Sequence, residues 1–168
     1  MRALIRVCDL IEKLLNAIII VLLMAMTVVI FYQVVLRYGF QSSNIWAEEF
    51  ARYAFIWVVL LGSACAIRRY QHIRIDFALA AMPPSMRKFV DLFNYIAIAV
   101  FLAVLAWYGV AISMRTGNQM SAGLHIPMSF MYLSIPISAA IMLLFTVQIV
   151  LRDFVFGDAR GRAERAGE

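Results

Sequence analysis

Residues 14–36 form an uninterrupted stretch of 23 residues without a single charged side chain. A helix rises about 1.5 Å per residue, so a stretch of this length crosses the roughly 30 Å hydrocarbon core of a bilayer. A cleavable signal peptide would have a shorter apolar region followed by small residues, whereas Arg37 and Tyr38 follow here. The stretch therefore predicts a retained membrane anchor, and it commits the chain to a helical membrane fold.

Three further apolar stretches repeat this pattern, and the composition agrees with them. Hydrophobic residues make up 64% of the 168 residues and charged residues 15%, which is too apolar for a soluble domain of that size. We predict an all-α integral membrane protein with a single membrane domain over residues 1–168. Its four transmembrane helices are expected at residues 14–36, 46–67, 89–114 and 128–151.

The segments that flank the first and second spans are amphipathic. Residues 1–13 place apolar and charged side chains on different helix faces, which predicts an N-terminal lead-in lying along the membrane surface. Residues 68–82 interleave apolar and charged side chains before Pro83 and Pro84 break the pattern. They predict a short interfacial helix between spans two and three.

Basic residues are distributed unevenly between the two sides of this arrangement. Twelve of the 15 lysines and arginines fall before span one, between spans two and three, or in the C-terminal tail. Because basic residues are enriched on the cytoplasmic side of membrane proteins, we expect both termini in the cytoplasm. The same rule accounts for the net charge of +5 without a nucleic-acid partner, for which the chain has no motif.

The second span begins with a group of charges, Glu48, Glu49 and Arg52. Glu48 and Arg52 are four residues apart, so they share a helix face with Phe55 and Gly62. An unpaired charge at the bilayer centre costs at least roughly 2.5 to 3.5 kcal/mol, so charges near a span should be paired, turned inward or placed at the interface. Two interpretations stay open: a solvated helix N-terminus favoured by the helix dipole, or a pairing cluster with a function.

Two further patterns on the second span indicate helix contacts. Gly62 and Ala66 repeat the small-xxx-small spacing that lets another helix approach closely, so this helix is predicted to pack against protein. The opposite face is aromatic and contains Trp46, Phe50, Tyr53 and Trp57. That face fits either an ordinary belt at the membrane surface or a contact with a partner protein.

The chain offers little for catalysis, metal binding or a cofactor, and we expect none of these. His72 and His125 fall on opposite sides of the predicted membrane, so they cannot share a metal or haem iron, which weighs against a haem-bearing respiratory anchor. Cys8 and Cys65 have no metal-ligand spacing and are expected to form no disulfide. No ionisable residue lies deep within spans one, three or four, which weighs against transport by this chain alone. A membrane subunit that assists another protein is the prediction that remains.

A more specific pattern occupies residues 46–76. It reads WAEEFARY, then an aromatic IW pair, a small-residue run GSACA, and RRYQHIRID. With the preceding anchor helix, four spans and a length of 168 residues, this pattern resembles the small membrane subunit of tripartite ATP-independent periplasmic (TRAP) transporters, the DctQ-type family. The resemblance covers residues 14–153.

The resemblance implies a non-catalytic subunit with two protein partners in a bacterial inner membrane. Such subunits pair with a large multi-span TRAP membrane subunit that carries the substrate and sodium sites. A soluble periplasmic substrate-binding protein delivers the substrate, usually an organic acid, and a sodium gradient drives uptake without ATP. The small subunit is expected to enlarge the fixed scaffold against which the large subunit moves. The alternative is an accessory or anchor subunit of another membrane complex.

The resemblance also assigns structural or partner-contact roles to particular residues. The first motif contributes Trp46, Glu48, Glu49, Arg52 and Tyr53. These residues would organise the periplasmic end of the helix pack or its contact with the large subunit. Arg68, His72 and Asp76 match the second motif and would fix the cytoplasmic turn, and Gly62 lies between the two motifs. None of these residues is required to touch substrate.

Overall fold

The computed structural model describes residues 2–42, 44–69 and 84–165, and five helices make up most of this part of the chain. They are α1 (Arg2–Gly39), α2 (Ile45–Arg68), α3 (Pro84–Arg115), α4 (Ser129–Tyr132) and α5 (Ser134–Arg165). Four stretches are long and apolar enough to cross a membrane: Ile5–Gly39, Ile45–Arg68, Leu92–Arg115 and Ser129–Leu151. The prediction of an all-α integral membrane protein with four spans is confirmed.

The amphipathic N-terminal segment is continuous with the first span. Helix α1 runs without a break through 38 residues, and at about 1.5 Å per residue it extends roughly 57 Å. This length is nearly twice the roughly 30 Å hydrocarbon core, so an upright α1 carries its charged N-terminal part beyond the core. Residues 70–82 of the predicted interfacial helix between spans two and three, which include His72 and Asp76, lie outside the described residues.

The long helices are arranged as an open row. Within the described residues, the extensive contacts join α1 to α2, α2 to α5 and α5 to α3. The spans therefore follow one another in space in the order one, two, four, three. Helices α1 and α3 form the two edges of the row, and α2 and α5 occupy its middle.

The core lies where α2 and α5 meet. Leu61 and Cys65 of α2 pack there with Met142 and Phe145 of α5, and all four are buried. Leu102 contributes from α3. Because lipid is as apolar as the side chains, close packing rather than the hydrophobic effect holds these helices together. The edge helices instead expose apolar faces that suit lipid or a partner protein.

Proline and glycine determine where α4 ends and how closely α5 approaches α3. Pro136 has no N–H group to donate to the carbonyl of Tyr132, and the helical stretch is interrupted at Leu133. A Cβ atom on Gly109 of α3 would lie 2.9 Å from Cδ of Pro136 and 3.1 Å from its backbone nitrogen. The close approach of α3 to the start of α5 therefore requires glycine at position 109.

Candidate functional site: the two charged ends of the second span

Glu49 connects the start of α2 to the loop between α3 and α4. Its Oε2 atom accepts hydrogen bonds from the backbone N–H groups of Gly123, at 2.7 Å, and Leu124, at 2.9 Å. Tyr53, one turn further along α2, donates its hydroxyl to Oε1 of Glu49 at 2.8 Å. We call this group of four residues the Glu49 clasp. Hydrogen bonds to an ionised acceptor are among the stronger ones in proteins, so the clasp fixes this loop against α2.

The loop is shaped so that its backbone can face Glu49. Met120 and Pro127 form an isolated β-bridge, and the Ser121 N–H donates to the carbonyl of Ile126 at 2.9 Å, which closes a small turn around residues 121–126. A Cβ atom on Gly123 would lie 2.8 Å from both the Cα and N atoms of Trp46. Since backbone atoms cannot move aside cheaply, the clasp requires glycine at position 123.

Glu48 points away from the loop that its neighbour Glu49 binds. Its Oε1 atom pairs with Nη2 of Arg52 at 3.0 Å, and the two side chains are 66% and 62% exposed. Residues one apart on a helix point in directions about 100° apart, which separates the two carboxylates. The structure thus divides the predicted charge cluster into an inward clasp and an outward ion pair.

The aromatic face of α2 is turned toward the rest of the chain. The Trp46 ring lies 6.2 Å from the Tyr32 ring of α1, measured between centroids and tilted by 35°. Tyr53 is buried and Trp57 packs against the core. These three side chains therefore make contacts within the chain, which is neither the surface belt nor the partner contact expected from the sequence.

Arg68 is the centre of a second charged group, at the other end of α2. Its side chain is 10% exposed and forms hydrogen bonds with the Cys8 carbonyl and with Asp9 of α1. Nη1 of Arg68 also lies 2.8 Å from Oε2 of Glu12. The guanidinium carbon is 5.3 Å from the centroid of the Phe145 ring of α5, within the range of a cation–π interaction. Arg68 therefore links three helices.

Arg69 completes this group by balancing its charge. Nε of Arg69 donates to Oε1 of Glu12 at 2.8 Å, and this hydrogen bond raises the pKa of Arg69 above its usual value. We call Asp9, Glu12, Arg68, Arg69 and Phe145 the Arg68 cluster. Its two carboxylates match its two guanidinium groups. A buried arginine needs such compensation, because an unpaired charge in a poorly solvated site is strongly destabilising.

Sequence reasoning missed the partners of these residues more than the residues themselves. Asp9 and Glu12 could have been predicted as partners of the two arginines. These acids precede span one on the same side of the membrane on which Arg68 and Arg69 end span two. Gly123 appeared only as a turn residue. Gly62, the predicted site residue between the two motifs, is half-buried, and a Cβ atom built on it meets nothing within 4 Å.

The described residues do not gather ligands for a metal ion. Across residues 2–42, 44–69 and 84–165, no three His, Cys, Asp or Glu side chains lie close enough together to hold one. The acidic side chains of both charged groups are instead engaged by arginines, a tyrosine and backbone N–H groups. The geometry is therefore that of helix fastening.

Comparison with known proteins gives a consistent family. Residues 26–156 match the family described as "Tripartite ATP-independent periplasmic transporters, DctQ component". A putative TRAP transporter small permease protein of Haemophilus influenzae (strain Rd) is 26% identical over 149 residues, which are 89% of this chain and 90% of the relative. The sialic acid TRAP transporter small permease protein SiaQ of Vibrio cholerae is 29% identical over 121 residues, 72% of this chain and 70% of the relative.

A longer relative matches over a similar part of the chain. The sialic acid TRAP transporter permease protein SiaT of Haemophilus influenzae (strain 86-028NP) is 30% identical over 129 residues. These residues are 74% of this chain but 20% of SiaT, so four-fifths of that protein lie outside the match.

Proposed function

Because the chain belongs to the DctQ component family of TRAP transporters, we propose that it is the small subunit that scaffolds a separate, large permease subunit. It is a transporter component and a multi-pass bacterial membrane protein, and its family is not one of enzymes. The scaffold role is the part that we add. It assigns solute movement to the partner and mechanical support to this chain.

The placement of charge is the observation that supports the scaffold role best. Residues 14–36, 53–67, 92–114 and 129–151 contain no Asp, Glu, Lys or Arg. The charges at the two ends of α2 are paired within the chain or face outward. Ionisable residues within a bilayer mark most proton and ion pathways, so a chain without them is better suited to bracing than to translocation.

A scaffold must also keep its shape while its partner moves. The Glu49 clasp ties α2 to the loop before α4, and the Arg68 cluster ties α2 to α1 and α5. Helix α2 is thus fastened at both ends to different parts of the chain. In a shear or hinge motion the fixed body is the one whose internal contacts do not change, and the contacts at both ends of α2 support that role for this chain.

The proposed partners are a large multi-span permease subunit and a periplasmic substrate-binding protein. SiaT supports the first, because it contains a stretch similar to this chain within a permease about five times longer than the match. The binding protein rests on the family resemblance alone. The names of SiaT and SiaQ both specify sialic acid, an organic acid, which supports uptake of an organic acid here. The sodium gradient that would drive this uptake rests on the family resemblance alone.

The proposed orientation follows from the basic residues. With both termini in the cytoplasm of a bacterial inner membrane, the Arg68 cluster lies at the cytoplasmic side and the Glu49 clasp at the periplasmic side. Two reporter enzymes test this orientation, one active only in the cytoplasm and one active only in the periplasm. Each is fused after residue 168 or inserted at residue 118, and we expect cytoplasmic activity at residue 168 and periplasmic activity at residue 118. Periplasmic activity at residue 168 would contradict it.

Affinity purification of the tagged full-length chain from its native membranes tests the scaffold role. We expect the large permease subunit, identified by mass spectrometry, in stoichiometric amount. A chain that purifies with a soluble redox enzyme instead would support an anchor subunit of another complex. A chain that purifies alone in a mild detergent, while a tagged large permease subunit also purifies alone, would contradict the proposal.

A further inference from the structure

The outward face of α2 carries a regular row of side chains along most of the helix. Glu48, Arg52, Phe55, Val59, Gly62 and Ala66 follow one another at alternating spacings of four and three residues. We call this row the outer seam. Alternating spacings of three and four residues place side chains along a line that a second helix can follow at a small crossing angle, as in coiled coils.

The first four positions of the outer seam are exposed in the described part of the chain, and Gly62 and Ala66 are half-buried. Phe55 is 56% exposed and Val59 is 45% exposed, while the Glu48 and Arg52 side chains are exposed by about two thirds. A Cβ atom on Gly62 would meet nothing within 4 Å. The bulky Phe55 and the bare backbone at Gly62 lie two turns apart, which gives the surface a knob and a hollow.

Charge distinguishes the outer seam from the other exposed helix faces. The charge-free residues 53–67 number 15 and cover about 22 Å, less than the roughly 30 Å hydrocarbon core. With Arg68 at one membrane boundary, the Glu48–Arg52 pair therefore lies at or inside the other. Lipid chains cannot hydrogen-bond, so an outward ion pair at this depth favours a polar protein surface over acyl chains.

The chemistry of Arg52 specifies what such a surface must offer. A guanidinium group has five N–H donors in a planar fork, and Nη2 of Arg52 donates to Glu48. The complementary group is a hydrogen-bond acceptor, either a carboxylate or the free carbonyl groups at the end of a helix. The outer face of α1 does not need a hydrogen-bond acceptor, because its exposed residues Val21, Met24 and Val28 are apolar, and each is exposed by about two thirds.

We infer that the outer seam seats a transmembrane helix of the large permease subunit, which places an acceptor opposite Arg52 and a bulky side chain in the hollow at Gly62. This inference rests on the proposed function and adds the face and the contact chemistry. The length of SiaT outside its match supports this occupant over a second copy, because a permease of that size brings the required helix with it.

Photo-crosslinking in native membranes tests the occupant. The photoreactive residue p-benzoylphenylalanine replaces Phe55 in the full-length chain, and the matched control replaces Val28, which is 66% exposed on α1. We expect position 55 to form an adduct that mass spectrometry identifies as the large permease subunit, and position 28 to form far less of it. An adduct with a second copy, adducts with lipid alone, or equal permease adducts from both positions would overturn the inference.

A steric variant separates this inference from the proposed function. Gly62→Trp fills the hollow, while Gly39→Trp is the matched control, because a Cβ atom on Gly39 also meets nothing within 4 Å. We expect Gly62→Trp to reduce co-purified permease subunit by about tenfold or more and Gly39→Trp to leave it unchanged, with equal melting temperatures of the two isolated chains. If the wild-type chain co-purified no permease subunit, the result would contradict the proposed function. Permease retained by both variants would contradict only the outer seam.

Discussion

The two ends of α2 bind the rest of the chain by different physical means. At the Glu49 clasp, one carboxylate accepts hydrogen bonds from two consecutive backbone N–H groups and a tyrosine. At the Arg68 cluster, two arginines face two carboxylates, and Glu12 contacts both arginines. The clasp therefore depends on backbone shape, whereas the cluster depends on charge balance and has partly redundant partners.

This difference predicts where each end is vulnerable. A small steric change should open the clasp, because its donors belong to a closely fitted backbone. The cluster should tolerate the loss of an acid but not of its central arginine, Arg68, which contacts both α1 and α5 from α2. Four substitutions break or sharpen the comparison, in order of expected effect.

Arg68→Ala should have the largest effect on the stability of the chain. It leaves Asp9 and Glu12 without their main partner and removes the contact with Phe145. We expect the free energy of unfolding to fall by about 3 kcal/mol. This is at the lower end of the range for a buried ion pair, because the Asp9 side chain is 54% exposed. Thermal unfolding in detergent measures it, and Arg68→Lys should recover only part, since an ammonium group cannot reproduce the forked contacts. An unchanged unfolding temperature for Arg68→Ala would show that the cluster contributes nothing.

Gly123→Ala should come next and act on the clasp. The added methyl group would lie 2.8 Å from Trp46 backbone atoms and 2.9 Å from Oε2 of Glu49, so the loop must move away. We expect the free energy of unfolding to fall by about 2 kcal/mol, which is typical of overpacking at a closely packed contact. Gly117→Ala in the same loop is the control, because its Cβ would lie an ordinary 3.6 Å from the Met114 carbonyl oxygen. Equal unfolding temperatures for the two variants would contradict the close fit.

Glu49→Gln should weaken the clasp without removing its shape. The amide oxygen can still accept hydrogen bonds, but it carries no charge, so the bonds to Gly123 and Leu124 become weaker. Hydrogen exchange measured by mass spectrometry should show faster exchange in peptides covering residues 121–126. Glu48→Gln is the adjacent control and should leave that exchange unchanged, since its carboxylate pairs with Arg52. Similar exchange in both variants would argue against a specific role of Glu49.

Asp9→Asn should have the smallest effect. Glu12 still pairs with both Arg68 and Arg69, and Asp9 is half exposed. We expect the free energy of unfolding, measured by thermal unfolding, to fall by less than about 1 kcal/mol, which is in the range of exposed ion pairs. The double variant Asp9→Asn/Glu12→Gln should lose more than the sum of the single variants, because the first substitution leaves Glu12 as the remaining acid. Additive losses would show that the two acids act independently.

The four spans and the location of their charges could be predicted from sequence, because length and apolar composition determine which helices cross a bilayer. The order of the spans in the row could not, since residues such as Gly109 and Pro136 signal a close approach without naming the partner. The second span was expected at residues 46–67, and helix α2 occupies Ile45–Arg68. Of the charge group Glu48, Glu49 and Arg52, Glu48 and Arg52 pair with each other, as a pairing cluster requires. Glu49 instead accepts hydrogen bonds from a loop some 75 residues away, which the sequence did not indicate.

The partners of the charged residues illustrate a second limit. Asp9 and Glu12 are nearly 60 residues from Arg68, and only the shared membrane side linked them in the sequence. The donors to Glu49 are backbone N–H groups, which every residue except proline possesses, so no side-chain pattern indicates them. Sequence patterns therefore indicated which side chains need partners better than which groups supply them.

Thermal unfolding of Arg52→Ala, measured for the isolated chain and for its complex with the large permease subunit, tests the central claim most directly. The claim is that Glu49 and Arg68 of α2 find their partners within the chain, whereas the exposed Glu48–Arg52 pair contacts the partner subunit. We predict an isolated chain that unfolds within about 0.5 kcal/mol of wild type and a complex that is clearly less stable. An Arg52→Ala chain destabilised equally in isolation and in the complex would contradict the claim.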